Sequence, residues 1–325
     1  NRRYIMVAAV ETMAYAGELP WHGLGVEVPA DLTPAQMLEK AGLDWTVSKK
    51  PLVYEIEKAS GDVGLIKAGK KMALVRDSDN QFLDVVSEAW NPLQNEEAFD
   101  FFNDFVGAGD MEMHTAGSLN DGRMIWALAK IKGQVFEAVP GDEVESYLLF
   151  ANPHKFGACI TVQGTDIRVV CRNTLNYALG MDSDRLVRIN HRQEFDADFV
   201  KETLGVAKEK METYKEVAKF LASKRYTADS MIEYFNTVFP SMSYNNNADE
   251  KTSRQAKACI EVIDTQPGAE FGRGSFWQAF NAVTYLTDHE LGRSNDTRLT
   301  SSWFGANRKK KQAALTTAVE FAEAA

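Results

Sequence analysis

Up to about His191 the apolar residues fall in short runs or alternate with polar ones. Beyond it they recur at helical spacing. In the first part, β-favouring runs at Pro51–Ile56, Lys71–Arg76 and Phe82–Ser87 are separated by turn-rich breaks at 57–61 and 77–80, which predicts strands joined by hairpins. Met111–Leu119 and Arg123–Ile131 flank Asn120-Asp121-Gly122, a strong hairpin signal. Two helices interrupt the strands. Thr33, Pro34 and Gln36 predict an N-cap, a first helical position and a capping box, and Gly42 ends that helix. Glu96–Val106 predicts the second, capped by Asn95, with Phe99, Phe102 and Phe105 inward and Gly107 as the stop.

The stretch from Ser146 to Leu179, SYLLFANPHKFGACITVQGTDIRVVCRNTLNYAL, predicts strand, strand, strand, helix. The strands are Tyr147–Phe150, Ala158–Val162 and Ile167–Cys171, with Gly164-Thr165-Asp166 as a turn, and a helix capped by Asn173 or Thr174 runs through Leu179. Leu186–Asn190 is one more strand. Five helices follow: 196–224, 227–239, 249–263, 275–290 and 302–325. The first carries Phe199, Leu204, Ala207, Met211, Tyr214, Val217 and Leu221 on one face. The pattern therefore predicts an α+β fold. An irregular segment with one helix spans 1–44, an antiparallel or mixed sheet domain spans 45–192, and a helical region that packs on the sheet spans 193–325.

Composition narrows the classes. The 325 residues are 45% hydrophobic and 25% charged, ordinary values for a chain with a real core. The formal net charge of −10 argues against a surface that coats duplex DNA everywhere, and leaves room only for a local basic patch. Cys159, Cys171 and Cys259 are odd in number and lack CxxC spacing, so buried free thiols in a reducing, cytoplasmic setting are expected. No apolar run approaches a membrane span. The opening NRRYIMVAAVETM has too brief an apolar patch for a signal peptide, and Met6 is the expected natural start.

Three sets of side chains carry candidate chemistry. On the helix 275–290, Trp277, Asn281, Thr284 and Asp288 share one face. They bind a ligand or a subunit, or they hydrogen-bond to loops such as Trp21-His22-Gly23 and order the core. The run Arg308-Lys309-Lys310-Lys311 follows Trp303-Phe304, with Arg293 and Arg298 upstream. Arg168, Arg172, Arg185, Arg188 and Arg192 form a second basic set near the central strands. Lysines and arginines interleaved with aromatics suit single-stranded nucleic acid, where charges track phosphates and rings stack bases, although a charge run can equally be a solvated helix face. The histidines have no metal-ligand spacing, and no nucleophile, phosphate-loop or dinucleotide motif is present, so neither metal nor cofactor is expected and binding is favoured over catalysis.

LPWHGLG at 19–25, FANPHKFGACITV at 150–162, TDIRVVCRNTLNYAL at 165–179, SFWQAFNAVTYLTDHE at 275–290 and SSWFGANRKKKQAAL at 301–315 together resemble a family of uncharacterised phage- and plasmid-encoded proteins with a domain of unknown function. Lys155 stands where that pattern carries an acid. The strand–strand–strand–helix unit is also similar to the core of phage single-strand annealing recombinases, an analogy of architecture only. That likeness implies a non-enzymatic, homo-oligomeric protein that binds single-stranded DNA in annealing or replication-linked recombination. Arg168, Arg172, Arg188, Arg308, Lys309 and Lys310 would contact phosphates, and Trp303 or Tyr177 would stack. The alternative is a phage protein that modulates a host factor through its acidic surface.

Overall fold

The computed structural model describes residues 10–17, 25–168, 174–175, 186–205, 207–241, 252–292, 298, 301–303 and 305–325. Two sheets and a helical layer are built from them. The larger sheet runs β10-β9-β8-β7-β6-β1-β2, where β1 is Val10–Ala16, β2 Val26–Val28, β6 Met111–Leu119, β7 Met124–Glu137, β8 Glu143–Pro153, β9 Ile160–Arg168 and β10 Thr174–Leu175. β11 (Leu186–Ile189) pairs with the first half of β9 and β10 with its second half, so both lie on the same outer edge. Among the described residues only β1 and β2 pair in parallel, and the other pairs are antiparallel. The smaller sheet is β3-β4-β5, formed by Val47–Glu57, Val63–Arg76 and Phe82–Ser87.

Alternation along β7 and β8 explains their near-continuous apolar runs. Ile125, Ala127, Ala129, Leu148 and Phe150 face one core, shared with the smaller sheet, with α1 (Pro34–Lys40) and with α2 (Asn95–Asp100). Met124, Trp126, Leu128, Tyr147, Leu149 and Ala151 face the other side, where Trp303 covers them. Strands covered on both faces read as unbroken hydrophobic segments. The hairpin between β6 and β7 has positive φ at Asn120, Asp121 and Gly122 (55°, 57° and 85°), the conformation for which that sequence is suited. At Gly117 a β-carbon would stand 2.6 Å from the Thr12 carbonyl, so only glycine lets β1 and β6 approach this closely.

The helical part has its own core. α5 (Ala207–Ser223), α6 (Ala228–Val238), α7 (Arg254–Val262), α8 (Phe276–Tyr285) and α9 (Ala306–Glu323) surround Tyr214, Tyr234, Phe276, Trp277 and Phe280, and reach the sheet through Ala138 and Val144. α4 (Ala197–Gly205) sits against the sheet through Val200. No helix among the described residues is long and apolar enough to cross a membrane.

The α+β class and the division into a sheet part followed by helices match the sequence pattern, and several local expectations need correction. The segment 160–168 is one strand: Gly164, Thr165 and Asp166 pair with Leu148, Tyr147 and Ser146 and form no turn. Thr174–Leu175 is a strand, so no helix is capped there; the remainder of that expected helix lies outside the described residues. The second helix is split into α2 and α3 (Asn103–Gly107), and the cap expected at Asn95 falls at Gln94, whose amide donates to the Glu97 side chain. Phe199 is exposed. Cys159 is only half-buried, whereas Cys259 is buried and burial pushes its thiol pKa up.

Candidate functional site

The polar stripe on α8 is a core device. A serine N-cap at Ser275 starts the helix, and its side chain accepts a hydrogen bond from the Gln278 amide. Trp277 is fully buried and its Nε1 donates to Asp142 Oδ2 at 2.7 Å, which ties the helix to the β7–β8 turn. Asn281 Nδ2 donates back to the Trp277 carbonyl at 2.8 Å, and Thr284 Oγ1 donates to the Asn281 carbonyl at 2.9 Å. These are local bonds of short polar side chains within a helix. Residues 286–290 then widen into a π-helical turn that carries Asp288. Lys311 Nζ, fully buried, donates to Asp288 Oδ1 at 2.7 Å. Burial lowers the Lys311 pKa, the Asp288 carboxylate opposes that, and Arg308 adds to it. The stripe is thus buried and bonded within the interior. Trp21 and His22 lie outside the described residues.

The basic run at the start of α9 disperses. Successive residues of a helix point about 100° apart, so four in a row cannot share a face. Lys311 enters the core. Lys310 Nζ donates to the Val238 carbonyl at 3.0 Å and lies 5.1 Å from the Phe239 ring, where it caps α6. Lys309 is exposed. Arg308 is half-buried, and its Nε is buried without a hydrogen-bond partner. Burial first, and then the charge of Arg188, push the Arg308 guanidinium pKa below its ordinary value. Arg188 stands exposed on β11, in register with Thr161 of β9.

The fold therefore brings together one arginine from each basic set of the sequence. Arg188 lies on the outer edge of the large sheet, and its charge is felt at Arg308 in the first turn of α9. Gly305 caps that helix without a side-chain bond, and its amides add partial positive charge. Trp303, expected to stack bases, is instead 5% exposed and packs edge-on against Trp126 at 5.3 Å between centroids. Gln163 Nε2 donates to its carbonyl at 3.4 Å, which fixes it further in the core. The Arg168 side chain, Arg172 and Tyr177 lie outside the described residues.

A second polar cluster was missed by sequence reasoning, which took the histidines as scattered. His154, at the end of β8, is fully buried, and its Nε2 lies 2.9 Å from Asn95 Oδ1. Asn95 Nδ2 donates to the Leu43 and Trp45 carbonyls at 2.9 and 3.2 Å. The amide is thereby oriented, and His154 must carry its proton on Nε2. Its Nδ1 is buried without a partner. Burial, with a smaller contribution from His191, holds its pKa down at about 3. His191 stacks on Trp90 at 4.1 Å between centroids, and its pKa is lowered by burial against the opposing pull of the Asn91 and Pro153 carbonyls. Asn152 Nδ2 donates to the Leu93 carbonyl at 2.8 Å. These residues clamp the 90–95 segment between the two sheets. The sequence signal was the pair of polar residues flanking Pro153 at the end of an apolar strand.

No curated protein and no solved structure matches the chain. One family model does, over residues 82–315, a span that holds the α8 stripe, the histidine cluster and both arginines of the basic pair. On a match that covers most of its length, the chain belongs to the family described as Domain of unknown function (DUF932).

Proposed function

We propose that the chain is a non-enzymatic binder of single-stranded DNA that holds the phosphate backbone at the Arg188–Arg308 pair. The observation that supports this reading is the pairing itself. Two guanidinium groups from distant parts of the sequence approach closely enough for one to depress the proton affinity of the other. Like charges held together gain stability when an anion lies between them, and arginine is suited to phosphate by its planar fork of donors. Lys309 is exposed on the adjoining turn of α9 and extends the patch. Because Trp303 is buried, binding rests on phosphates rather than on stacked bases. Strand annealing and a phage or plasmid setting are supported only by the sequence resemblance.

The test is fluorescence anisotropy of a labelled single-stranded oligonucleotide across a salt series. Three phosphate contacts predict a slope of log K against log salt of about −2, from roughly −0.7 per contact. Arg188→Ala combined with Arg308→Ala should flatten that slope to below about −1 and weaken binding uniformly across sequences. No binding by the wild-type chain at low salt, or an unchanged slope in the double variant, refutes the assignment.

A further inference from the structure

The start of α9 is held by the end of the helix before it. A helix leaves its last carbonyls without donors of its own. Past α8 the π-helical turn Leu286–Glu290 closes with the Leu291 amide donating to the Leu286 carbonyl at 2.7 Å. One side chain then takes up two carbonyls at that end. Asn307 Nδ2 donates to the Thr287 carbonyl at 2.7 Å and to the Leu291 carbonyl at 3.1 Å, so both protons of its amide are used. The Asn307 backbone amide donates to Ser301 Oγ at 3.0 Å, and Ser302 Oγ adds a longer bond of 3.4 Å to the Thr287 carbonyl. One turn further along α9, Lys311 reaches Asp288 of the same π-helical turn.

These contacts fix how far α9 is rotated about its own axis. Asn307 and Lys311 are four residues apart and share the face that meets the π-helical turn. At about 100° per residue, Arg308 and Lys310 fall on opposite flanks of that face and Lys309 on the far side. Burial follows this order: Lys311 is buried, Asn307, Arg308 and Lys310 are half-buried, and Lys309 is exposed. Lys310 uses its flank to reach the Val238 carbonyl of α6. Arg308 occupies the other flank, where the charge of Arg188 is felt. Lys310 and Lys311 are anchored beyond Arg308, and Asn307 is the anchor before it.

We infer that, on the DNA reading above on which this rests, Asn307 is a positioning residue for the phosphate contact of Arg308. Its grip on the Thr287 and Leu291 carbonyls sets the rotation of the first turn of α9 and so aims the Arg308 guanidinium. Asparagine suits the task because it brings two protons and no charge, whereas a carboxylate would oppose its oxygens to the two carbonyls.

Asn307→Ala in the full chain tests this by two readouts. Phenylglyoxal modification followed by peptide mass mapping reads the accessibility of each arginine without nucleic acid. N307A should raise the modification rate of Arg308 severalfold and leave that of the exposed Arg192 unchanged, because only the first turn of α9 is released. In single-stranded oligonucleotide binding, the salt slope should shrink by about 0.7, the loss of one contact. Asn307→Gln keeps both donors on a longer arm and should show the smaller change in each readout. Thr227→Ala, which removes a cap at the end of α6 remote from Lys310, should lower the melting temperature and move neither readout, which separates lost aim from a general loss of stability. Unchanged modification of Arg308 in N307A overturns the inference, and so does a wild-type salt slope in that variant. A wild type that binds no oligonucleotide removes the DNA reading, and the modification rate then decides by itself whether Asn307 places Arg308.

Discussion

His154→Gln should change the acid sensitivity of the fold. The wild-type imidazole carries its proton on Nε2, where Asn95 Oδ1 accepts it, and Nδ1 faces a buried space without an acceptor. A second proton would have to sit on Nδ1, buried and unpaired, which is why the folded-state pKa falls to about 3. In the unfolded chain the same group titrates near 6.5. Between these values the unfolded state binds a proton that the folded state does not, so stability is intact above about 6.5 and declines as the pH falls towards 3. At pH 5 the difference is about 1.5 pH units, or about 2 kcal/mol from this one group. Glutamine keeps a donor near Nε2 and removes the titration. Urea unfolding followed by tryptophan fluorescence at pH 7.5 and pH 5 should show H154Q less stable at the higher pH, with a gap that narrows by about 2 kcal/mol at the lower. His191 remains in both proteins and cancels. Parallel pH dependences in the two proteins would refute the buried, singly protonated assignment.

Four further outcomes follow from the packing. Lys311→Ala leaves Asp288 as a buried carboxylate and should cost about 3–5 kcal/mol in denaturant unfolding, with the Asp288→Ala, Lys311→Ala double variant costing less than the sum of the singles. Trp277→Phe removes the bond to Asp142 while keeping most of the ring, and should cost about 1.5–3 kcal/mol, seen as a lower melting temperature. Gly117→Ala forces a methyl group against the Thr12 carbonyl and should destabilise by about 1–3 kcal/mol in the same measurement. Thr227→Ala removes the side chain that accepts from the Ser230 amide at the start of α6 and should cost about 1 kcal/mol.

Local signals in the sequence were legible where local chemistry decides the outcome. Phe82–Ser87 and Met111–Leu119 are strands with the expected ends, and the Thr33 capping box is present. They failed where neighbours decide. Gly164-Thr165-Asp166 has turn composition, yet Ser146, Tyr147 and Leu148 hold it in register, and Ser146 Oγ donates to Asp166 Oδ1 at 2.6 Å. Strand pairing supplied what propensity opposed. In the helix expected over 96–106, Phe99, Phe101 and Phe102 are all buried. Rings at those positions cannot share one helical stripe, so the chain breaks into two short helices that bury all three. Asn95, read as a cap, is buried as the link between His154 and two carbonyls. In the candidate site the residue types were legible and their destinations were not. Arg188 and Arg308 belong to separate basic sets, and nothing within either set signals that the charge of one reaches the other.

The dispersal of the basic run makes the DNA reading quantitative. Counted from sequence, the phosphate contacts would be Arg168, Arg172, Arg188, Arg308, Lys309 and Lys310, and the salt slope would approach about −4. The fold withdraws Lys310 to the end of α6, and its neighbour Lys311 to the core. Of the six, Arg188, Arg308 and Lys309 are the ones that the described residues leave available, and the slope for these three is about −2. A net charge of −10 is compatible with the proposed phosphate contacts, because a small basic patch needs no excess of basic residues elsewhere. Lys310→Ala separates the two counts. If Lys310 only caps α6, the substitution should lower the melting temperature and leave the salt slope unchanged. A slope that falls by about 0.7 in that variant would put Lys310 on the phosphates and refute the three-residue site.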